Sequence, residues 1–367
     1  MSKTAFLVLE NGTIFEGCYF GAQGNVTGEI VFTTGMTGYL ETLTDHSYNG
    51  QIVLQTFPLI GNYGVIPADF ESASIAPAAY IVKYPSATPS NFRSEGNLDE
   101  FLKKQGIVGL SGIDTRALTK IIRNNGVMNG KIMDTKPTEE DFAEIRAYKV
   151  KNPVPKVTAK SIKQYPAAEM GGKSSYKVAL YDFGAKENIR RELNKRNCDV
   201  SVFPCNTAPE EIIKLAPDGI MLSNGPGDPE DNVDIINNLK ILFKSGIPIF
   251  GICLGHQLLA LACGFKTNKL KYGHRGVNQP VKDLQTGRVY ISSQNHGYEV
   301  LSGSIDQNIA YEWFVNVNDK SCEGIIYKDV PIFSVQFHPE ACGGPKDTEF
   351  IFDRFIKNME VKKNAPR

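Results

Sequence analysis

The chain has 367 residues, enough for two domains at roughly 150 residues each. Hydrophobic residues make up 41% and charged residues 22%, a globular balance that excludes a disordered, collagen-like or disulfide-dense chain. Lys+Arg is 40 and Asp+Glu is 40, and a net charge of zero argues against nucleic acid as a partner, because that binding rests on neutralising phosphates. Seven cysteines are scattered without a CxxC pair, which fits neither a secreted disulfide framework nor a zinc ribbon and points to a reducing cytoplasm. The apolar run Ala5–Leu9 is too short for a signal-peptide core. The longer stretch from Ile247 to Phe265 is broken by His256, Gln257 and three glycines, so no membrane span is expected.

The first 150 residues read as strand-rich. Thr4–Glu10 and Thr13–Phe20 flank Asn11-Gly12, a type I′ hairpin signal. Further strands are expected at Glu29–Thr33, Gln51–Gln55 and Ala79–Tyr84, and a helix at Leu98–Lys104. Asp114 is placed to cap a helix through Arg116–Arg123 that stops at Asn124-Asn125-Gly126. From Lys151 to Tyr176 the pattern dissolves among Pro153, Pro155, Pro166 and a Gly/Ser run, as in a linker. From Lys177 to about residue 360, strands and helices alternate. Strands are expected at Lys177–Asp182, Asp199–Phe203, Gly219–Leu222 and Ile247–Gly251. Helices are expected at Lys186–Arg196, Pro209–Leu215, Asp234–Phe243 and His256–Cys263. This rhythm predicts an α/β domain with a mainly parallel sheet flanked by helices, and ligands at the carboxyl ends of its strands.

Three motifs end predicted strands. In Gly251-Ile-Cys253-Leu-Gly255 a cysteine stands between two glycines where strand meets helix, the thiol counterpart of a nucleophile elbow. The N–H groups and positive partial charge of a helix N-terminus suit a thiolate. In Phe333-Ser-Val-Gln-Phe-His338-Pro-Glu340 the histidine can serve as base and the carboxylate can fix its tautomer. In Leu222-Ser-Asn-Gly225-Pro-Gly227-Asp the glycines can aim backbone N–H groups at an oxyanion. Each motif alone has a bland reading: a buried inert cysteine, a surface turn, a Gly/Pro turn. Three together at strand ends of one sheet argue for a Cys-His-carboxylate triad.

In combination the motifs resemble the class I glutamine amidotransferases over roughly Lys177 to Asn358. The earlier segments Gly35-Met-Thr-Gly-Tyr39, Leu43-Thr-Asp-His-Ser-Tyr48, Phe57-Pro-Leu-Ile-Gly-Asn62 and Ser111–Thr119 are similar to the N-terminal domain of glutamine-hydrolysing small chains of carbamoyl-phosphate synthases. The resemblance implies that Cys253 is the nucleophile and that His338 and Glu340 complete its triad. It implies glutamine contacts at Ser47, Gly225, Gly227, Leu254, Gln257, Asn295, Gly297 and Tyr298. It further implies glutamine hydrolysis through a Cys thioester, with the oxyanion on N–H groups near Gly227 and Leu254.

The implied partner is a large subunit, forming a heterodimer or a higher oligomer of heterodimers. That subunit joins ammonia to bicarbonate with ATP and Mg, for arginine or pyrimidine biosynthesis. No G-x-x-x-x-G-K-[ST] loop occurs here, so no cofactor or metal is expected on this chain. The alternatives are an amidotransferase of another pathway, against which the first 150 residues speak, and a non-catalytic glutamine-binding regulatory subunit, against which the retained triad speaks.

Tyr298 stands where the family commonly has phenylalanine, and Arg275, Val277 and Gln279 where it often has histidine or glycine. Glu340-Ala-Cys-Gly-Gly replaces Glu-Ala-Ser-Pro-Gly. His256 and His296 are expected to be structural, and His46 and His274 show no ligand spacing. Cys263 and Cys342 are read as small packing residues, Trp313 as core, and Lys362-Lys363 as a frayed end.

Overall fold

The computed structural model describes residues 3–171, 174–341 and 343–364, so the expectation for Cys342 lies outside the described residues. The chain forms two compact units, Met1–Lys151 and Asn152–Arg367. No helix among the described residues is long and apolar enough to cross a membrane.

The first unit is a closed barrel. Its strands run in the order Thr4–Leu9, Ile14–Gly21, Val108–Ser111, Ala79–Ile81, Gln51–Gln55, Val26–Thr33 and Met128–Met133, the last pairing back with the first. Period-two alternation sorts the side chains. Ala5, Leu7 and Leu9 pack with Ile30, Ile52, Leu54 and Leu110, whereas Val8 packs with Met133 and Ile145 under the helix Glu139–Ala147. Asp114 caps the helix Thr115–Asn125 by accepting from the Ala117 N–H at 2.9 Å.

The expected type I′ turn at Asn11-Gly12 is not what forms. Gly12 N–H bonds Leu9 O and Leu9 N–H bonds Thr13 O, leaving a three-residue loop, Glu10-Asn11-Gly12, with Gly12 at φ 87°. That is a type I turn closed by a left-handed glycine, the other common way for a short hairpin to match the strand twist.

The second unit holds one ten-stranded sheet. Its order is Lys163–Tyr165, Cys198–Pro204, Tyr176–Asp182, Gly219–Leu222, Ile249–Ile252, Ile332–Val335, Cys322–Tyr327, Ala310–Asn316, Thr267–Asp283 and Val289–Val300. The five strands from Cys198–Pro204 to Ile332–Val335 are parallel and the flanking ones antiparallel. Neighbouring residues in the parallel strands go to opposite faces. Tyr181, Leu222 and Ile249 pack with Leu254 and Leu258, while Leu180, Met221 and Phe250 pack with Phe333, Phe352 and Phe355. Burial on both faces explains why these strands read as near-continuous apolar runs.

Three further expectations need correction. The stretch 151–176 is no bare linker: Val154–Val157 is helical and Lys163–Tyr165 adds an edge strand to the sheet. Lys271–Gln279 and Gln294–Tyr298, where the sequence signals no strand, lie inside the two long antiparallel strands Thr267–Asp283 and Val289–Val300. The Lys362-Lys363 pair is not frayed: both lie in the helix Phe350–Asn364, where Lys363 donates to Ser175 O at 3.0 Å and lies 3.7 Å from Asp218.

Candidate active site

Cys253 caps the helix Leu254–Ala262 directly after the strand Ile249–Ile252. Its backbone is at φ 53°, ψ −104°, a conformation that costs a non-glycine residue about 1–3 kcal/mol. The surrounding packing enforces it. Cys253 N–H bonds Val335 O at 2.9 Å, and Gly255 N–H bonds Ser223 O at 3.0 Å. A Cβ on Gly255 would lie 2.6 Å from Leu222 O, and one on Gly251 would lie 2.9 Å from Gly255 O. Only glycines let the turn pack this closely against the neighbouring strand end. Leu254 opens the helix, so its N–H has no acceptor within the helix and is available at the elbow.

His338 follows the strand Ile332–Val335, and its N–H bonds Ser293 O at 2.9 Å, tying the strand end to the long ribbon. His338 Nδ1 lies 2.6 Å from Glu340 Oε1, with both side chains fully buried. Nε2 has no hydrogen-bond partner, and the Cys253 Sγ–H is directed to Asn295 O at 3.7 Å. Burial and the Lys186 ammonium both oppose charge on the imidazole. The carboxylate of Glu340 and the Cys253 sulfur outweigh them and raise its pKa. Burial likewise opposes charge on Glu340, but the His338 imidazole holds its pKa below the usual carboxylate value. A buried carboxylate against Nδ1 and an open Nε2 beside a thiol is the arrangement of a base that takes a proton from sulfur.

The Gly225–Gly227 turn follows the strand Gly219–Leu222. A Cβ on Gly225 would lie 2.3 Å from Phe183 O, and Gly227 sits at φ 91° against Pro153. Gln257, on the elbow helix, donates through Nε2 to Tyr298 O and to Gln336 Oε1, both at 2.9 Å. Asn295, Gly297 and Tyr298 lie on the strand Val289–Val300, where Arg275 pairs with Asn295 in register. The structure therefore gathers Cys253, Leu254, Gln257, Asn295, His338 and Glu340 around one set of strand ends. Ser47 belongs to the first unit, in the turn His46–Tyr48, where its N–H bonds Asp45 Oδ1 at 2.9 Å.

His256 is buried with Nδ1 2.8 Å from Ser334 Oγ, and burial lowers its pKa to about 3, so the ring is neutral and structural. Burial pushes the Cys263 thiol up to about 12. Trp313 is core, with Arg354 4.6 Å over its ring.

Lys186, Asn188 and Asn224 escaped the sequence reading. Lys186 Nζ is 3.8 Å from Glu340 Oε1, Asn188 Nδ2 donates to Glu340 O at 3.4 Å, and Lys186 N–H bonds Asn224 Oδ1 at 3.0 Å. A signal was present, since Asp182-Phe-Gly-Ala-Lys186 is one more glycine-bearing turn after a buried strand.

Comparison with known proteins fits this geometry. The family model "Glutamine amidotransferase class-I" matches residues 179–358, and "Carbamoyl-phosphate synthase small chain, CPSase domain" matches residues 7–132. The chain is 51% identical over 356 residues to a carbamoyl phosphate synthase small chain of Fusobacterium nucleatum, covering 96% of this chain and 98% of that protein. It is 50% identical over 354 residues to the small chain of Clostridium perfringens, covering 96% and 99%. It is 49% identical over 361 residues to the pyrimidine-specific small chain of Bacillus subtilis, covering 97% and 96%. With a cysteine elbow, a histidine–carboxylate pair and relatives alike over nearly their whole length, the chain belongs to the carbamoyl phosphate synthase small-chain family, the glutamine-hydrolysing subunits with a class I amidotransferase domain.

Proposed function

We propose that this chain hydrolyses glutamine through a thioester on Cys253 and passes the ammonia to a large subunit for carbamoyl phosphate synthesis. The observation that carries the reading is the buried His338–Glu340 pair, 2.6 Å apart, with an unpartnered Nε2 beside the strained cysteine. His338 takes the thiol proton as sulfur attacks the side-chain amide carbon. The oxyanion of the tetrahedral intermediate is met by the N–H groups of Leu254 and Gly227. Collapse breaks the C–N bond, and His338 gives its proton to the departing nitrogen. The same imidazole then draws a proton from water, whose oxygen attacks the thioester and releases glutamate and the free thiol.

Glutamine is held by Gly225, Gly227, Gln257, Asn295, Gly297 and Tyr298, with Ser47 as a further contact; the family resemblance supports these assignments. The chain itself needs no cofactor, because ATP and Mg act on the large subunit. The carbamoyl phosphate serves arginine or pyrimidine biosynthesis in a cytoplasmic heterodimer.

The test is glutamate release by the full chain with its large subunit. Cys253→Ala should abolish glutamine-dependent synthesis, a fall of at least about a thousandfold, and spare synthesis from supplied ammonium. Unchanged glutamate release in the variant would sink the mechanism.

A further inference from the structure

The ribbon Thr267–Asp283/Val289–Val300 is interrupted by register shifts between Lys269 and His274 and between Gly276 and Gln279. Only His274, Arg275 and Gly276 are paired between them, opposite His296, Asn295 and Gln294. Bulges of this kind re-aim side chains beside active sites. The short paired stretch carries two imidazoles directly opposite each other, with ring centroids 4.9 Å apart and planes at 89°.

His274 is held from beyond the ribbon. Its Nε2 lies 2.7 Å from Asp319 Oδ2 and its Nδ1 lies 3.4 Å from Glu323 Oε1. His296 in turn donates from Nδ1 to Tyr298 O at 2.7 Å, and its Nε2 lies 3.0 Å from the Gln294 carboxamide. Tyr298 O is the same oxygen that Gln257 Nε2 holds from the elbow helix. His274, His296 and Glu323 could also be read as a metal cluster, since their ligand atoms lie within 4.8 Å of one another. Yet His274 Nε2 is taken by Asp319 and His296 Nδ1 by Tyr298 O, while His274 Nδ1 and Glu323 Oε2 have no hydrogen-bond partner. The ring contact and the 3.4 Å approach of His274 Nδ1 to Glu323 Oε1 link the three residues without an ion.

We propose that His274, fixed between Asp319 and Glu323, is a positioning residue for glutamine: through its ring contact with His296 it holds the segment Asn295–Tyr298 in the geometry that accepts the substrate. The inference rests on the glutaminase reading above and adds a residue that touches neither substrate nor the reacting atoms. Its charge state matters. Burial disfavours the imidazolium, but the hydrogen bonds and charges of Asp319 and Glu323 prevail and raise its pKa to about 9. The other groups facing it are His296 and Glu299 on the paired strand and Arg275 on its own. His296 is kept neutral by burial first and by the His274 charge second, so it is the passive member of the pair.

The experiment measures kcat and KM for glutamate release by the full chain with its large subunit, across pH, for wild type, His274→Gln and Asp319→Asn. His274→Gln should raise the glutamine KM about tenfold below pH 9 and leave kcat within about twofold. The ratio of variant to wild-type KM should fall toward one as the wild-type imidazolium deprotonates. The amino group of glutamine titrates in the same range but equally for every protein, so the ratio isolates His274. Asp319→Asn removes one counter-charge at a half-exposed position, and the alkaline rise in its KM should begin at lower pH than in wild type. Wild type that releases no glutamate overturns the glutaminase reading and this inference with it. Active wild type with either an unchanged KM in His274→Gln or an unmoved alkaline rise in Asp319→Asn overturns this inference alone. Should His274→Gln fail to fold, Asp319→Asn decides by itself.

Discussion

The parallel strands and the antiparallel ribbon of the second unit place their functional residues in different ways. Cys253, His338 and Gly225 stand just past strands four residues long, buried on both faces and locked by backbone hydrogen bonds from neighbour to neighbour. Asn295, Gly297 and Tyr298 sit inside a twelve-residue strand whose pairing is twice interrupted and along which the His296 ring contacts Tyr298 O and the Gln294 side chain. The backbones that carry the bond-breaking groups are therefore fixed by main chain. Groups that hold substrate are fixed by a polar network with titratable members. The first arrangement should govern kcat and the second KM.

The sharpest way to break this division is Glu340→Gln. The amide keeps the size but loses the charge that orients and raises His338. We expect kcat for glutamate release to fall by about 10²–10⁴, the usual worth of a positioned general base, with KM changed little. A kcat within tenfold of wild type would mean that the strand-end pair does not set the chemistry. Ser47→Ala asks a narrower question, whether a residue outside the second unit shares in binding. Losing a hydrogen bond to a charged group of glutamine costs about 1.5–3 kcal/mol, or roughly ten- to a hundredfold in KM, with ammonium-dependent synthesis untouched. An unchanged KM would confine glutamine binding to the second unit.

The same division governed what the sequence could show. Strand-end motifs are local: Gly251 to Gly255 spans one turn, and its glycines are required by contacts within that turn and the adjacent strand. Burial on both faces also made the parallel strands plain. The ribbon gives no strand signal because Gly273, Gly276 and Pro280 interrupt any alternating pattern, while the pairing that makes it a strand comes from residues about twenty positions away. His274, His296 and Glu323 look unrelated along the chain and become neighbours only through that pairing. The helix Glu139–Ala147 was legible and overlooked, since Thr138 and Asp141 form a capping box at its start. The strand Lys163–Tyr165 was hidden by its length of three residues between prolines.

The backbone at Cys253 has a thermodynamic consequence. Its φ and ψ are close to the mirror image of an ordinary extended residue, a region that glycine enters without strain. Alanine there keeps the strain, whereas glycine releases it. In most positions glycine is the less stable choice by roughly 0.5–1 kcal/mol because it gains more entropy on unfolding. Here the order should invert, with Cys253→Gly melting above Cys253→Ala because about 1–3 kcal/mol of strain is relieved. Melting of the two inactive variants at the same or the usual order would mean that the elbow is relaxed. The predicted inversion would mark the nucleophile as a place where the domain gives up stability to hold sulfur in position.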